Sequence, residues 1–247
     1  MTSDWDFYAL RVNDEPASIF VDLGIQSEAP LDSHPNMAYI RLTMNTPRPD
    51  GLSSREEFEA LIEVEKHIEA TLCGEEVGYV GRNTSAGFRD FFFYTSDLPD
   101  WQSMVDSAMS RFQDYKYETD TRPDANWSTY FDFLLPGKVD RQRIENRRVC
   151  EQLEHHGDTL AAQREIDHWC FFPTQDSLDA FLRDAAALGF QLRSTSHSNE
   201  GELTFGAQVW RVDIPSYNNI DEVTLPLFEA AERYGGEYDG WESPVEA

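Results

Sequence analysis

The same order of amphipathic segments occurs twice along this chain, and that order restricts its fold more tightly than any single motif. In the first copy MAYIRLTMN (37–45) alternates as a half-buried strand, and a helix follows it. Ser53 and Ser54 each have a glutamate three residues on, Glu56 and Glu57, the spacing of a capping box; Phe58, Leu61, Val64, Ile68 and Leu72 then form an apolar stripe that Gly74 ends. EVGYVGR and FRDFFFYT read as two strands joined by the Gly-flanked turn NTSAG. A second helix opens at Asp100, with Trp101, Met104, Val105, Ala108 and Phe112 at helical spacing, and YKYETDT closes the set.

The second copy begins with a charged helix, Val139 to His156, whose apolar face (Val139, Ile144, Val149, Leu153) is thin enough to predict an outside position. REIDHWCFF is apolar on both faces and reads as a central strand. A helix through Leu178, Phe181, Leu182, Ala185 and Leu188 ends at Gly189; FQLRSTS and LTFGAQVWRVDI are strands, and SHSNEGE is the loop between them. In the last helix Pro226 leaves two readings, a short helix capped by Thr224 or a longer, kinked one, and GEYDGWE is the final strand. Each copy thus runs β-α-β-β-α-β.

That order predicts an α+β chain of two tandem ferredoxin-like modules with antiparallel sheets, each covered on one face by helices. DFYALRV and ASIFVDL add an N-terminal hairpin to the first module, and the charged helix stands at the N-terminus of the second. RPDANWSTYFDFLLPGK is expected to carry one more strand before Pro136-Gly137 breaks the chain, which places the domains at 1–136 and 137–247.

Charge narrows the partners. The chain has 46 acids against 20 bases, a formal net charge of -26, and the excess is spread: 25 acids and 10 bases up to Pro136, 21 and 10 beyond it. Such a field repels nucleic acid phosphates and anionic membrane and steers basic proteins inward, so the expected partner is a protein with a basic surface. No apolar run approaches the ~20 residues of a membrane span. An opening without a basic, then apolar leader and three scattered cysteines, Cys73, Cys150 and Cys170, lead to the expectation of a cytoplasmic protein.

Two stretches carry candidate chemistry. In GGEYDGWE the glycine pair ends a helix, and an ideal strand would point Glu237, Asp239 and Trp241 one way and Tyr238, Gly240 and Glu242 the other. Two carboxylates beside an indole suit a cationic partner, so Glu237, Tyr238, Asp239, Trp241 and Glu242 form the candidate partner-binding set. The competing structural reading takes Gly240 as a bulge and the aromatics as packing groups. Around the turn GRNTSAG, Arg82, Asn83, Thr84 and Arg89 form a candidate small-anion site, the alternative being that the arginines pair with acids. His155, His156, His168 and Cys170 show no CxxC, HxxxH or HExxH spacing, no phosphate loop or GxSxG elbow occurs, and neither a metal nor a cofactor is expected.

IDEVTLPLFEAAERYGGEYDGWE, the upstream charged helix and DHWCFFPTQDSLDAFLRDAAALGFQL together resemble the family of the regulator of ribonuclease E activity B, over Lys138 to the end of the chain. The resemblance implies a ferredoxin-like fold and a protein that binds the endoribonuclease and lowers its activity without doing chemistry itself. DGLSSREEFEALIEVE, YVGRNTSAGFRDFFFY and WSTYFDF resemble a domain family of unassigned function found fused to such modules. The expectation is a non-enzymatic interaction module; the rival is a small-anion-binding or hydrolytic domain centred on the Arg82/Arg89 hairpin.

Overall fold

The computed structural model describes residues 4–246 and divides the chain into two compact units, Met1–Asp140 and Arg141–Ala247. Both are mixed α+β with a wholly antiparallel sheet. No helix among the described residues is long and apolar enough to cross a membrane.

In the first unit the strands are β1 (Trp5–Val12), β2 (Glu15–Asp22), β3 (Asn36–Thr43), β4 (Val77–Ser85), β5 (Phe88–Thr95) and β6 (Lys116–Pro123), in the order β1-β2-β4-β5-β3-β6. Asn13 and Asp14, both at positive φ, make the two-residue turn that joins β1 to β2. The helices α1 (Arg55–Leu72) and α2 (Trp101–Met109) bury Leu61, Val64, Ile68, Val105 and Ala108 against Ile40, Leu42, Phe91 and Phe93 of the sheet. Ser54 caps α1 by accepting the Glu57 amide, but the Glu57 carboxylate takes the amides of Asn45 and Thr46, each at 2.7 Å, so only half of the expected capping box forms. Phe58, placed by its spacing on the buried stripe, is exposed.

Against the opposite face of this sheet lies the segment for which one more strand is expected. Beyond β6 the chain instead turns into a six-residue π-helical segment, Thr129–Leu134. Asp124 is the cause: its carboxylate accepts the amides of Ser128 and Thr129 and the Tyr94 hydroxyl, which folds the backbone back on itself. Despite burial, which opposes ionisation, these donors hold its carboxyl below the usual range. Trp127 then stacks on Tyr94 at 3.9 Å, and its indole donates to the His34 carbonyl.

The second unit has β7 (Arg164–Phe172), β8 (Gln191–His197), β9 (Phe205–Asp213) and β10 (Glu237–Glu242) in the order β10-β7-β9-β8, with α3 (Lys138–His155), α4 (Gln175–Ala187) and α5 (Ile220–Arg233). All three helices feed one core: Cys150 and Leu153 of α3, Phe181 and Ala185 of α4, and Val223, Leu227 and Ala231 of α5 meet Ile166, Cys170, Phe172 and Val209. The expected outside position of α3 is wrong, because Gln142, Asn146 and Cys150 join Ile144 and Leu153 as its buried residues. α5 is the longer of the two helices considered, with Pro226 inside it and Thr224 hydrogen-bonded to the Ile220 carbonyl.

The glycine pair before β10 does two jobs. Gly235 sits at φ +68 and donates to the Glu232 carbonyl, while Gly236 donates to the Ala231 carbonyl, the bond pair that closes a helix in a Schellman motif. A Cβ on Gly236 would lie 2.3 Å from Phe172 Cδ1 and 2.6 Å from the Phe171 carbonyl oxygen, whereas one on Gly235 meets nothing within 4 Å. Gly235→Ala should therefore cost only the left-handed backbone penalty, about 1 kcal/mol. Gly236→Ala should cost more, roughly 2 to 3 kcal/mol, because backbone atoms must move. Urea denaturation of both variants checks the ranking; equal losses would mean that β10 does not approach β7 this closely.

Candidate functional site

β10 is an edge strand, and its side chains do not alternate simply. The register against β7 slips between Tyr238 and Gly240, a bulge made at Gly240 with φ +132. The extra residue resets the parity, so Tyr238 and Trp241 both turn into the core while Glu237, Asp239 and Glu242 are exposed. This overturns the expectation that Trp241 shares a face with Glu237 and Asp239. Of the candidate set, the structure brings the three acids to the surface and takes the two aromatics away from it.

Both aromatics are held by polar partners. The Trp241 indole donates to Asn146 Oδ1 at 3.1 Å, and Asn146 Nδ2 donates to Thr224 Oγ1 and Asp221 Oδ1, each at 2.7 Å. Asn146, which the sequence reading missed, thereby ties β10 to α3 and α5. The Tyr238 hydroxyl lies 2.8 Å from Nδ1 of His168, whose ring packs edge-on to Phe190 at 5.2 Å. His168 is wholly buried, and desolvation, with Arg211 adding, drives its pKa down to about 3. It is a packed, hydrogen-bonded histidine. Among the described residues no group of three or more His, Cys, Asp or Glu side chains is placed to hold a metal ion.

The face of the second sheet away from the helices forms a regular grid. Along β7, residues 166, 168, 170 and 172 go to the core, and Glu165, Asp167, Trp169 and Phe171 to the other face. Asp167 has Glu242 of β10 on one side and Trp210 of β9 on the other. Trp169 has Gly240 and Gln208, and Phe171 has Glu237 and Gly206. Arg193, the bulged residue of β8, lies 5.0 Å from the centre of the Trp210 ring, with Nε 2.5 Å from Asp167 Oδ1 and Nη2 2.6 Å from Glu165 Oε2. The parity of REIDHWCFF held the signal for Trp169 and Asp167; Arg193 gave none, because its position depends on the bulge.

In the first unit the proposed turn is shorter than expected. Ala86 and Gly87, both at positive φ, make the whole connection, so Asn83, Thr84 and Ser85 belong to β4 and not to a loop. Alternation puts Arg82, Thr84 and Arg89 on the α1 side and Asn83 on the other, so three of the four candidates share a face and Asn83 is turned away from it. The anion they face is the protein's own: Arg82 forms an ion pair with the buried Glu65, which also accepts from the Tyr79 hydroxyl at 2.8 Å, and Arg89 Nη1 lies 3.8 Å from Glu65 Oε2. Burial first, then Arg82, lowers the Arg89 pKa to about 10, while Glu65 opposes the shift. Arg89 Nε donates to Thr84 Oγ1, and its Nη1 has no hydrogen-bond partner. Beside this cluster lies a pocket of about 370 Å³ walled by Trp5, Phe20, Tyr79 and Arg82.

Trp241→Ala should cost about 3 to 5 kcal/mol, the range for deleting a large buried aromatic, while Asp239→Asn should stay within about 0.5 kcal/mol. Urea denaturation separates them, and comparable losses would contradict the bulged register. His168 supplies a pH signature. Its folded pKa of about 3 lies below the 6.5 of a free histidine, so between those values the unfolded chain binds a proton that the folded chain does not. The contribution is fully present above pH 6.5 and is lost as pH falls, at up to about 1.4 kcal/mol per pH unit. His168→Gln should flatten the stability–pH curve between pH 6.5 and 4.5 relative to the unsubstituted chain; parallel curves would show that His168 is not buried neutral.

Comparison with known proteins matches the two units to two families. Residues 3–135 match a family of unknown function, DUF695, and residues 143–243 match Regulator of ribonuclease activity B. A curated protein named Regulator of ribonuclease activity B, from Pantoea ananatis (strain LMG 20103), is 32% identical over 108 residues, covering 42% of this chain and 75% of its own length. Among solved structures, an unknown protein from Galdieria sulphuraria aligns at 14% identity and TM-score 0.24, over 85% of this chain and 98% of its own. A putative glycine cleavage system transcriptional repressor aligns at 9% identity and TM-score 0.27, over the same shares of the two chains. Neither likeness bears on function. The chain belongs to the DUF695 family through its first unit and to the Regulator of ribonuclease activity B family through its second.

Proposed function

We propose that this chain is a non-enzymatic regulator that works by binding a protein with a basic surface, and that the partner is an endoribonuclease. One observation carries the reading: the residues matching the regulator family include all of β10, which turns Glu237, Asp239 and Glu242 to solvent while burying Tyr238 and Trp241. None of these three acids is ion-paired among the described residues, so a partner's cations meet carboxylates without first displacing internal ones. With a net charge of -26 the chain has no attraction for RNA or for anionic membrane, so it acts on the enzyme and not on the enzyme's substrate. It works in the cytoplasm and needs no cofactor. Glu65, already seated between Arg82 and Arg89, weighs against a small-anion or hydrolytic site at that hairpin.

The architecture is that of two tandem ferredoxin-like modules divided at 136/137. The orders β4-β5-β3-β6 and β10-β7-β9-β8 support this, since each seats the first strand of its β-α-β-β-α-β set beside the third and the fourth. In this arrangement the β1–β2 hairpin extends the first sheet beyond β4.

The test is direct titration of the purified full-length chain into a purified endoribonuclease of the kind the family regulates. Binding should lower cleavage of a fluorescent RNA substrate without the chain itself retaining RNA. Raising salt from low to physiological strength and above should slow association by about tenfold with little change in dissociation. Absence of binding, or an association rate indifferent to salt, would overturn the reading.

A further inference from the structure

The open face of the second sheet holds one occupied cation seat and, beside it, one that is empty. The occupied seat is filled by Arg193, which stacks on Trp210 and pairs with Asp167 and Glu165. This is a complete recognition unit for a guanidinium: an aromatic plane beneath, and carboxylates at the rim. The grid repeats those parts one column over. Trp169 is half-buried on the same face; its neighbour on the β10 side is Gly240, and the space a Cβ would take there is open. Glu242 and Glu237 flank that gap along β10, opposite Asp167 and Phe171. Among the described residues no cation lies over Trp169 and neither glutamate has a charged partner.

We propose that the Trp169 column is the docking seat for an arginine from an exposed segment of a protein partner, with Glu237 and Glu242 as its carboxylates and Gly240 as the gap that admits it. This deepens the protein-binding reading above and rests on it for the class of partner. Arginine is favoured over lysine because a planar guanidinium stacks on an indole and bonds a carboxylate with two nitrogens at once, whereas a lysine ammonium is a strongly hydrated point charge. The glycine at 240 thereby acquires a use beyond register, since it leaves the position across from Trp169 without a side chain.

The experiment uses the full-length chain and two fluorescein-labelled peptides, one of alternating arginine and glycine and its lysine counterpart, read by anisotropy. The chain should bind the arginine peptide about fivefold more tightly than the lysine peptide. Glu237→Gln with Glu242→Gln should weaken the arginine peptide by about tenfold, and Trp169→Leu should abolish the arginine preference. Glu75→Gln with Glu76→Gln, an equal charge change at exposed positions outside the second sheet, should alter binding less than twofold, because it removes net charge and no part of the seat. Arg193→Ala should tighten arginine-peptide binding by about threefold, because it vacates the Trp210 seat. Circular dichroism accompanies each variant, and the two glutamine pairs keep the test decisive should Trp169→Leu fail to fold. Equal affinity for the two peptides, or equal loss from the two glutamine pairs, overturns the proposal. If the unsubstituted chain binds the endoribonuclease and the Glu237→Gln/Glu242→Gln chain binds it as well, the seat is wrong and the protein-binding reading stands. If the chain selects the arginine peptide yet ignores the endoribonuclease, the seat stands and the choice of partner falls.

Discussion

The hydrogen bond from the Trp241 indole to Asn146 decides how the end of the chain is arranged. Asn146 lies on α3, bonds Thr224 and Asp221 on α5, accepts from Gln142 as well and is almost wholly buried, so the buried Trp241 indole finds its acceptor only by pointing into the core. Tyr238 must also point inward, because its hydroxyl is the polar partner of the buried His168 ring. Positions 238 and 241 differ by an odd number, and a regular strand cannot put both on one face. One residue has to be absorbed between them, and Gly240, at φ +132, is where the backbone absorbs it. The exposed triad Glu237, Asp239 and Glu242 is thus a consequence of two interior hydrogen bonds. The arrangement of the rim is set by polar satisfaction in the core.

The first unit solves a similar problem in the opposite way. Arg82 and Arg89 stand on the buried side of the sheet, where an unpaired guanidinium would be costly, and Glu65 comes down from α1 to meet both. The carboxylate is shared and Arg89 Nη1 is left without a hydrogen bond, so this cluster is held together by charge at short range more than by full satisfaction. Residues that look like a ligand site in sequence can be each other's ligands once a helix is laid across them.

Periodicity made the order of elements legible, because each segment buries one side and so writes its period into the sequence. MAYIRLTMN, REIDHWCFF and the stripe of α1 could be read in this way. Elements governed by polar contacts could not. α3 seemed a surface helix because its buried stripe contains Gln142 and Asn146, and hydropathy scores such residues as solvated. The strand expected after β6 became a π-helical segment because one side chain, Asp124, takes three donors, and no alternation records that. In the candidate site, the residue types of β10 were legible and their directions were not. A single inserted residue reverses every later side chain, so an error of one position becomes an error of face.

That sensitivity bears on how an acidic protein can have a specific surface at all. A chain with 46 acids and 20 bases has carboxylates almost everywhere, and uniform charge attracts without selecting. Selection needs carboxylates fixed in geometry beside something that is not charge. The second sheet has both through period two: along β7 its core face takes Ile166, His168, Cys170 and Phe172, which leaves Trp169, Phe171 and Trp210 on the open face among Glu165, Asp167, Glu237 and Glu242. Arg193 shows such an arrangement within the chain, for it lies on the Trp210 indole and pairs with two carboxylates. On the proposed reading, long-range charge would set how often a basic partner arrives. The aromatic grid, with the bulges of β8 and β10 setting its register, would then decide which side chain stays.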